Sequence, residues 1–513
     1  MRNTSPGVGN LVFIGFMGAG KTSAARSVAA ELGVRAIDAD AAIERHLGAS
    51  IEDWFSRHGE RAFRETEEDV VCELLDGAED AVISLGGGAV LSERVQEALG
   101  GHTVVHLDVE PDAAWQRAGG RRPLARDRRR FDELHASRAP LYEALADAVV
   151  PHADREAVRA AIPAIRSLAG APRDTKLVWA KSASGAYPVY AGPGLLGSGF
   201  WPVAGSRFCV TDENVGERYA AGLGEVAHVV TVPPGETQKS MATAELVLRE
   251  LARAGLDHDG HVVALGGGVV GDLAGFCAAV YQRGVRVVQA PTTLVAQVDS
   301  AYGGKTGVDL PEGKNYAGAY HQPSAVMVDP SVLETLPPAE LAAGWAEVIK
   351  TALIAGGALW KRVSSGSATI DRNLLLACVR TKLAVVAEDE RDAGRRQSLN
   401  LGHTIGHAIE TVTGYARYRH GEAVGLGLLA ALSLSEAHGL RAEVADLLAA
   451  RDLPTRLDRD VDRAAVREAV ARDKKRRSGR VGFVLLERPG LVRTGRAVSE
   501  PDLRAALEEL ADG

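Results

Sequence analysis

Residues 15–22, GFMGAGKT, leave the N-terminal part of this 513-residue chain few folds to choose from. They sit between an apolar run, LVFI at 11–14, and a helical pattern over 21–32. Strand, glycine loop and helix in that order make the phosphate-binding unit GxxxxGKT, which needs an α/β layer with a parallel strand to present its loop. Gly18 and Gly20 let backbone N–H groups turn inward around phosphate oxygens, and the helix N-terminus adds partial positive charge. Lys21 is expected to reach the β and γ oxygens, and Thr22 to ligate Mg²⁺. A chance glycine turn is the bland alternative, but strand, lysine, threonine and helix together favour a nucleotide. Asp38 and Asp40 follow the strand-like VRAI at 34–37. Either acid could merely cap the next helix, Asp40 most plausibly. Beside a phosphate loop, Asp38 is expected near the metal and Asp40 as acceptor of the reacting hydroxyl's proton.

The rest of the chain repeats this alternation. Runs at 10–14, 81–85 and 103–107 read as buried parallel strands between amphipathic helical patterns. An alanine-rich helical stretch then gives way to SLAGAPRDTK at 167–176, the expected linker. Beyond it, strand-like runs at 208–211, 261–265, 285–290 and 325–328 again alternate with helices, and from about residue 330 helical patterning dominates. The expected domains are 1–166, 177–330 and 331–513, and length alone predicts about three or four compact units. LGGGAV at 85–90 and LGGGVV at 265–270 read as two separate glycine turns at strand ends.

A net charge of −8 and a pI near 6.0 argue against a general nucleic-acid or membrane-surface binder. Positive charge is local: six arginines (Arg121, Arg122, Arg126, Arg128, Arg129, Arg130) lie within 121–130, and Lys474, Lys475, Arg476 and Arg477 form a second cluster. Taken alone, each reads as a solvated face. Cys72, Cys209, Cys277 and Cys378 are widely spaced with no CxxC pair, so a reduced, cytoplasmic setting is expected. The first apolar stretch runs into the glycine loop rather than a cleavage site, and no apolar run approaches the roughly 18 to 20 residues that span a bilayer.

GFMGAGKT, DAD (38–40), FRETE (63–67), LGGGAV, RPL (122–124) and RAPLY (138–142) occur in the order found in the shikimate kinases, which residues 8–165 resemble. The resemblance implies a P-loop kinase-like parallel-sheet domain that phosphorylates the 3-hydroxyl of shikimate with ATP and Mg²⁺. It implies that Asp40, Arg64, Gly87 and Arg138 hold shikimate, planar guanidinium forks pairing its planar carboxylate. It also implies that Arg122 belongs to a lid over ATP, although RPLARDRRRF is shorter than the usual lid.

Glu347, His403 and His420 lie in GWAEVIK (344–350), NLGHTIGH (400–407) and HGEAV (420–424). Two imidazoles and a carboxylate suit a catalytic zinc, leaving positions open to substrate oxygens. His403 and His407, four apart, would share a helical face and could bind metal jointly instead. These runs occur with GGGVVGDLAGF (266–276), PTTLVAQVDSAYGGKTGVD (291–309), GKN (313–315) and DKK (473–475) in the order of the 3-dehydroquinate synthases, which residues 176–490 resemble. The resemblance selects Glu347, His403 and His420 as ligands of Zn²⁺ or Co²⁺ and turns His407 toward substrate. It implies a Rossmann-like NAD-binding α/β domain followed by a mainly α-helical metal-binding domain. It implies NAD contacts at Asp212, Asn214, Glu236, Lys239, Gly267, Gly268, Asp272, Thr292 and Thr293. The implied substrate wall holds Arg283, Lys305, Lys314, Asn315, Lys350, Lys382, Arg396, Asn400, His407 and Lys475, with Asp299 as a further position. Among these, Asp299, Lys305, Lys350 and His407 carry the implied catalytic roles, beside Lys21 and Asp40 in the first half.

The family's reaction converts 3-deoxy-arabino-heptulosonate 7-phosphate to 3-dehydroquinate and phosphate, using and regenerating NAD within one turnover. The resemblance further implies a homodimer through the synthase half, with Arg283 crossing the interface. Two departures stand out: Asp392 occupies a position where glutamate is common, one methylene longer, and VDL replaces the more usual VN after GGKTG. The first is expected to move a substrate-side hydrogen bond by about 1 Å. Alternatives are a second half that cyclises another sugar phosphate, or one half that is a catalytically silent regulatory module.

Overall fold

The computed structural model describes residues 10–118, 127–151, 155–476 and 482–512. It divides into two compact units: Met1–Ala180 with Pro188–Tyr190, and Lys181–Tyr187 with Ala191–Gly513.

The first unit is built on strands β1 (Leu11–Ile14), β2 (Arg35–Asp38), β3 (Ala81–Ser84), β4 (Thr103–Leu107), β5 (Ala148–Val150) and β6 (Lys176–Lys181). They run parallel in the order β2-β3-β1-β4-β5-β6. Every residue of β1 and β3 is buried, as expected of strands covered on both faces, which therefore read as unbroken apolar runs rather than alternating ones. Among the described residues, seven α-helices accompany the sheet: α1 (Lys21–Leu32), α2 (Ala39–Leu47), α3 (Ile51–Gly77), α4 (Glu93–Leu99), α5 (Pro111–Ala118), α6 (Arg128–Leu145) and α7 (Arg155–Ser167). Because β1 lies between β3 and β4, connections leave it in opposite directions, and the crevice at its carboxyl end is where the glycine loop opens. The unit boundary falls beyond the expected 167–176 linker. Residues 176–180 stay with the first unit because Leu177 and Val178 pair in parallel with Ala148 and Val149 of β5.

After β7 (Ala186–Ala191), the second unit carries β8 (Arg207–Asp212), β9 (His228–Val232), β10 (His261–Gly266), β11 (Arg286–Pro291), hairpin strands β12 (Lys305–Leu310) and β13 (Gly313–Tyr320), and β14 (Ala325–Val328). The parallel order β14-β11-β10-β8-β9 reverses between β8 and β10, again opening a crevice at their carboxyl ends. Helices α8 (Glu213–Tyr219), α9 (Met241–Arg253) and α10 (Gly268–Val280) belong to this layer. The helical part holds α11 (Pro338–Ala355), α12 (Gly357–Ser364), α13 (Arg372–Glu388), α14 (His403–Val412), α15 (His420–Leu434), α16 (His438–Ala449) and α17 (Arg463–Arg476). An antiparallel hairpin, β15 (Phe483–Arg488) with β16 (Leu491–Arg496), and α18 (Glu500–Asp512) follow.

One expectation is corrected here. The chain forms two compact units rather than three or four, because the nucleotide-type sheet and the helices share buried charge: the π-turn Ala296–Ser300 after β11 presents Asp299 to Lys350 of α11 and Lys382 of α13. The region beyond 330 is mainly helical, as expected, with one added hairpin that buries Phe483, Val484 and Leu486.

Candidate active sites

In the first unit, Gly18 has φ 82°, and a Cβ there would lie 2.7 Å from Ala114 O of α5, so only glycine lets the loop pass so close. Helix α1 starts at Lys21 with no side-chain cap, which leaves its first N–H groups facing the loop. Lys21 Nζ donates to Gly15 O (2.7 Å) and Phe16 O (3.0 Å), so the ammonium lies across the loop. The cap of α2 is Asp38, not Asp40: Asp38 Oδ1 accepts from Asp40 N at 3.1 Å. The Asp40 carboxylate is thereby turned toward the glycine turn after β3, where Asp40 Oδ1 and Glu67 Oε1 come within 2.9 Å of where a Gly86 side chain would begin.

Arg64 and Arg138 converge on the same turn. Arg64 pairs with the buried Glu67, Arg138 Nη1 donates to Gly87 O (3.3 Å), and Tyr142 Oη donates to the same oxygen (2.5 Å). Burial pushes the Glu67 carboxyl up against the pull of Arg64, and burial pushes the Tyr142 hydroxyl up to about 12. Glu67 and Tyr142 lay inside the FRETE and RAPLY motifs but were not expected at the site; their place depends on tertiary neighbours. Arg122 lies outside the described residues. Arg128 and Arg129 make exposed pairs with Asp132 and Glu133, as a solvated face would.

In the second unit, the carboxyl ends of β8 and β10 frame a cradle. Gly267 precedes α10 without a side-chain cap, and a Cβ there would meet Thr293 Cγ2 at 2.8 Å, while one on Gly268 would meet Ser300 Oγ at 3.1 Å. Thr292 Oγ1 is buried beside this turn with no hydrogen-bond partner. Asp212 Oδ1 accepts from Asn214 N (2.9 Å) and Val215 N (3.1 Å), capping α8. The buried Lys239 pairs with the half-buried Asp272, Nζ to Oδ2 2.5 Å. Bare backbone at a helix start, a spare hydroxyl and close glycine approach fit a dinucleotide's pyrophosphate.

The acidic and imidazole groups meet beyond this cradle. Glu347, wholly buried on α11, places Oε1 3.5 Å from His403 Nε2 and 3.4 Å from His420 Nε2. Ligand atoms of the three residues all lie within 4.8 Å of one another. His403 opens α14 after Gly402, and His420 opens α15, whose first turn is fixed by Glu422 accepting from Arg419 N at 2.7 Å. Leu401 O lies 3.3 Å from His403 Nδ1, and Glu410 Oε1 3.4 Å from His420 Nδ1, so each ring donates backward and offers Nε2 to the centre. Neither Glu347 oxygen has a well-formed hydrogen bond, although Lys350 Nζ stands 2.5 Å from Oε2. Burial, then Lys350, holds His403 down at about 4, which leaves its imidazole neutral, the form a metal ligand needs. A buried carboxylate facing two imidazole nitrogens fits a divalent cation.

Asp299 links this cluster to two lysines, with Oδ1 2.7 Å from Lys382 Nζ and Oδ2 3.7 Å from Lys350 Nζ. Burial would raise the Asp299 carboxyl, but Lys350 and Lys382 outweigh it and hold it at about 2. Burial pulls Lys382 below the ordinary lysine range despite Asp299. Lys305 Nζ lies 2.6 Å from Asp392 Oδ2, and Asn315 N donates to Asp309 Oδ1 (2.7 Å). His407 sits one helical turn after His403, with ring centroids 5.2 Å apart. Arg396 is buried and donates through Nη1 and Nη2 to Gly303 O, 3.1 Å each, so its guanidinium braces the GGKT backbone. Asn400 ends the turn Arg395–Asn400 just before α14. Arg283 lies exposed at the turn Tyr281–Arg283 with φ 69°, away from this cluster's contacts. The Lys475 side chain lies outside the described residues. Glu410 was not anticipated, although its spacing from His403 and His407 puts it on the same face of α14.

Residues 17–168 match the family model described as shikimate kinase, 229–343 that of the 3-dehydroquinate synthase N-terminal region and 344–476 that of its C-terminal region. The 3-dehydroquinate synthase of Symbiobacterium thermophilum is 43% identical over 351 residues, covering 63% of this chain and 98% of its own length. That of Halorhodospira halophila is 44% identical over 331 residues, covering 61% and 93%. Among solved structures, ValA, the 2-epi-5-epi-valiolone synthase of Streptomyces hygroscopicus subsp. jinggangensis 5008 with NAD⁺ and Zn²⁺ bound, aligns at a TM-score of 0.59 and 27% identity over 64% of this chain and 97% of its own. The chain therefore belongs to the 3-dehydroquinate synthase family, with a shikimate kinase domain fused ahead of the synthase.

Proposed function

We propose that the chain is a bifunctional shikimate-pathway enzyme, transferring phosphate from ATP to the shikimate 3-hydroxyl in its first half and converting 3-deoxy-arabino-heptulosonate 7-phosphate to 3-dehydroquinate in its second. The meeting of Glu347, His403 and His420 around one point carries the synthase half of this proposal. In the kinase half, Gly18, Gly20, Lys21 and Thr22 hold the nucleotide phosphates, Asp38 stands near Mg²⁺, Asp40 accepts the hydroxyl proton, and Arg64, Arg138 and Gly87 hold the shikimate carboxylate.

In the synthase half, Glu347, His403 and His420 would hold zinc or cobalt, and the Gly267–Gly268 turn with Thr292, Thr293, Asp272 and Lys239 would hold NAD. When bound, NAD supplies a reversible hydride acceptor and the metal a Lewis acid. Lys305, Lys314, Asn315, Asn400, His407 and Lys475 orient the substrate's charged and hydroxyl oxygens. Lys350 keeps Glu347 and Asp299 ionised, and Arg396 fixes the loop that presents Lys305. Lys382, paired with Asp299, completes the polar wall of the substrate pocket.

The synthase half is a homodimer with Arg283 reaching the partner's pocket, and the enzyme works in the cytoplasm. Among the described residues no helix is long and apolar enough to cross a membrane, which is in keeping with that place. Likeness to a 2-epi-5-epi-valiolone synthase favours a second reading, cyclisation of another sugar phosphate. Identity of 43% across nearly the whole of a 3-dehydroquinate synthase supports the first. Incubating the full chain with NAD⁺, zinc and the heptulosonate phosphate is expected to yield 3-dehydroquinate. Turnover of a different sugar phosphate, with none of this one, would transfer the assignment to the second reading.

A further inference from the structure

Lys314 is the second residue of β13, near the tip of the β12–β13 hairpin, and its ammonium is shared by two carboxylates on different elements. Nζ lies 3.0 Å from Glu236 Oε1, in the turn before α9, and 3.4 Å from Glu410 Oε1 on α14. The Tyr415 ring lies 4.3 Å beneath it. Glu410 is buried, and the oxygen it offers Lys314 is the same one that faces His420 Nδ1 at 3.4 Å; its other oxygen, Oε2, has no hydrogen bond. A single cation thus joins the turn that approaches the nucleotide cradle to the carboxylate that orients a metal ligand. Glu410 has little solvent to screen it, so a shift at either end is felt at the other.

We propose that Lys314 couples the two cofactor sites, with Glu410 as the positioning residue for His420, so that zinc and NAD⁺ bind cooperatively. The inference rests on the metal and dinucleotide reading above. Ordering of Glu236 by the dinucleotide fixes the ammonium, which fixes Glu410 and the His420 tautomer that offers Nε2 to the metal. Linkage makes the effect reciprocal.

Zinc affinity of the full chain, read by competition with a chromophoric chelator with and without saturating NAD⁺, and NAD⁺ affinity, read by calorimetry with and without zinc, test it. In the native chain each ligand is expected to tighten the other by the same factor, about 5-fold or more. Lys314→Met should bind both ligands with that factor reduced to about one, Lys314→Arg should restore it, and Glu236→Gln should also abolish it. Glu410→Gln should weaken zinc about 10- to 100-fold. Independent affinities in the native chain, intact linkage in Lys314→Met, or unchanged zinc affinity in Glu410→Gln would overturn the proposal while leaving the functional reading standing. A native chain that binds neither zinc nor NAD⁺ would overturn both.

Discussion

Lys350 is the residue on which the buried charge of the synthase half turns. It lies 2.5 Å from Glu347 and 3.7 Å from Asp299, with all but 1% of its surface covered. Replacing it by methionine leaves the fully buried Glu347 without a lysine partner and Asp299 with Lys382 alone. Such a loss costs about 3–5 kcal/mol, and urea denaturation of Lys350→Met should show it; a change under 1 kcal/mol would mean that the carboxylates are relieved some other way. Asp392 makes a finer case. Its 2.6 Å bond to Lys305 is made from a left-handed backbone, φ 61°, so the shorter acid reaches the lysine because the chain bends toward it. Glutamate there should overshoot, and Asp392→Glu is expected to lower synthase kcat/KM by about 10-fold with zinc content unchanged. Equal or higher kcat/KM would show that the extra methylene is accommodated.

Helix α15 packs against the helices that carry Glu347 and His403 through glycine. A Cβ on Gly421 would stand 1.8 Å from Ala343 O of α11, and one on Gly427 2.0 Å from Gly402 O at the start of α14. Backbone meets backbone at both points, so no side chain can yield. Gly427→Ala should destabilise by about 1–3 kcal/mol and weaken zinc, because His403 and Glu347 are held at those contacts. Unchanged denaturation and zinc affinity would show that α15 does not set the spacing. On β10, His261 is fully buried, accepts from Trp201 Nε1 at 2.9 Å, and is held down at about 4 by burial, with Arg286 and Arg207 adding. Its folded form resists protonation while the unfolded chain takes a proton from about pH 6.5. This contribution is complete above that pH and is lost as pH falls toward 4, by roughly 3 kcal/mol in all. His261→Gln, which keeps a hydrogen-bond acceptor but cannot titrate, should flatten the decline in urea midpoint between pH 7 and 5; an unchanged slope would contradict this.

Much of this arrangement was legible along the chain, and the limits are physical. GFMGAGKT is a local unit in which strand, turn and helix start all lie within one short stretch, and the strand runs at 81–85, 103–107, 261–265 and 325–328 correspond to β3, β4, β10 and β14 because they are buried on both faces. Motif order brought Glu347, His403 and His420 into view. It did not show Glu410 behind His420, Arg396 turned onto the Gly303 carbonyl, or Asp38 rather than Asp40 at the cap of α2, because those facts depend on which groups meet after folding. The number of compact units was missed for the same reason: Asp299 binds the sheet layer to the helices through two lysines that length and composition cannot reveal.

At the level of the whole chain, two chemistries occupy separate compact units, so each should fail without the other. Lys21→Ala is expected to abolish shikimate phosphorylation and spare 3-dehydroquinate formation; loss of both would refute separate sites. The converse test goes to the metal. Zinc content and both activities should be measured on the same preparation of native chain and His403→Ala. The native chain should hold one zinc per synthase site and the variant almost none, with 3-dehydroquinate formation lost and shikimate phosphorylation intact. A variant that keeps its zinc and its cyclisation would contradict the assignment of Glu347, His403 and His420 to a shared cation.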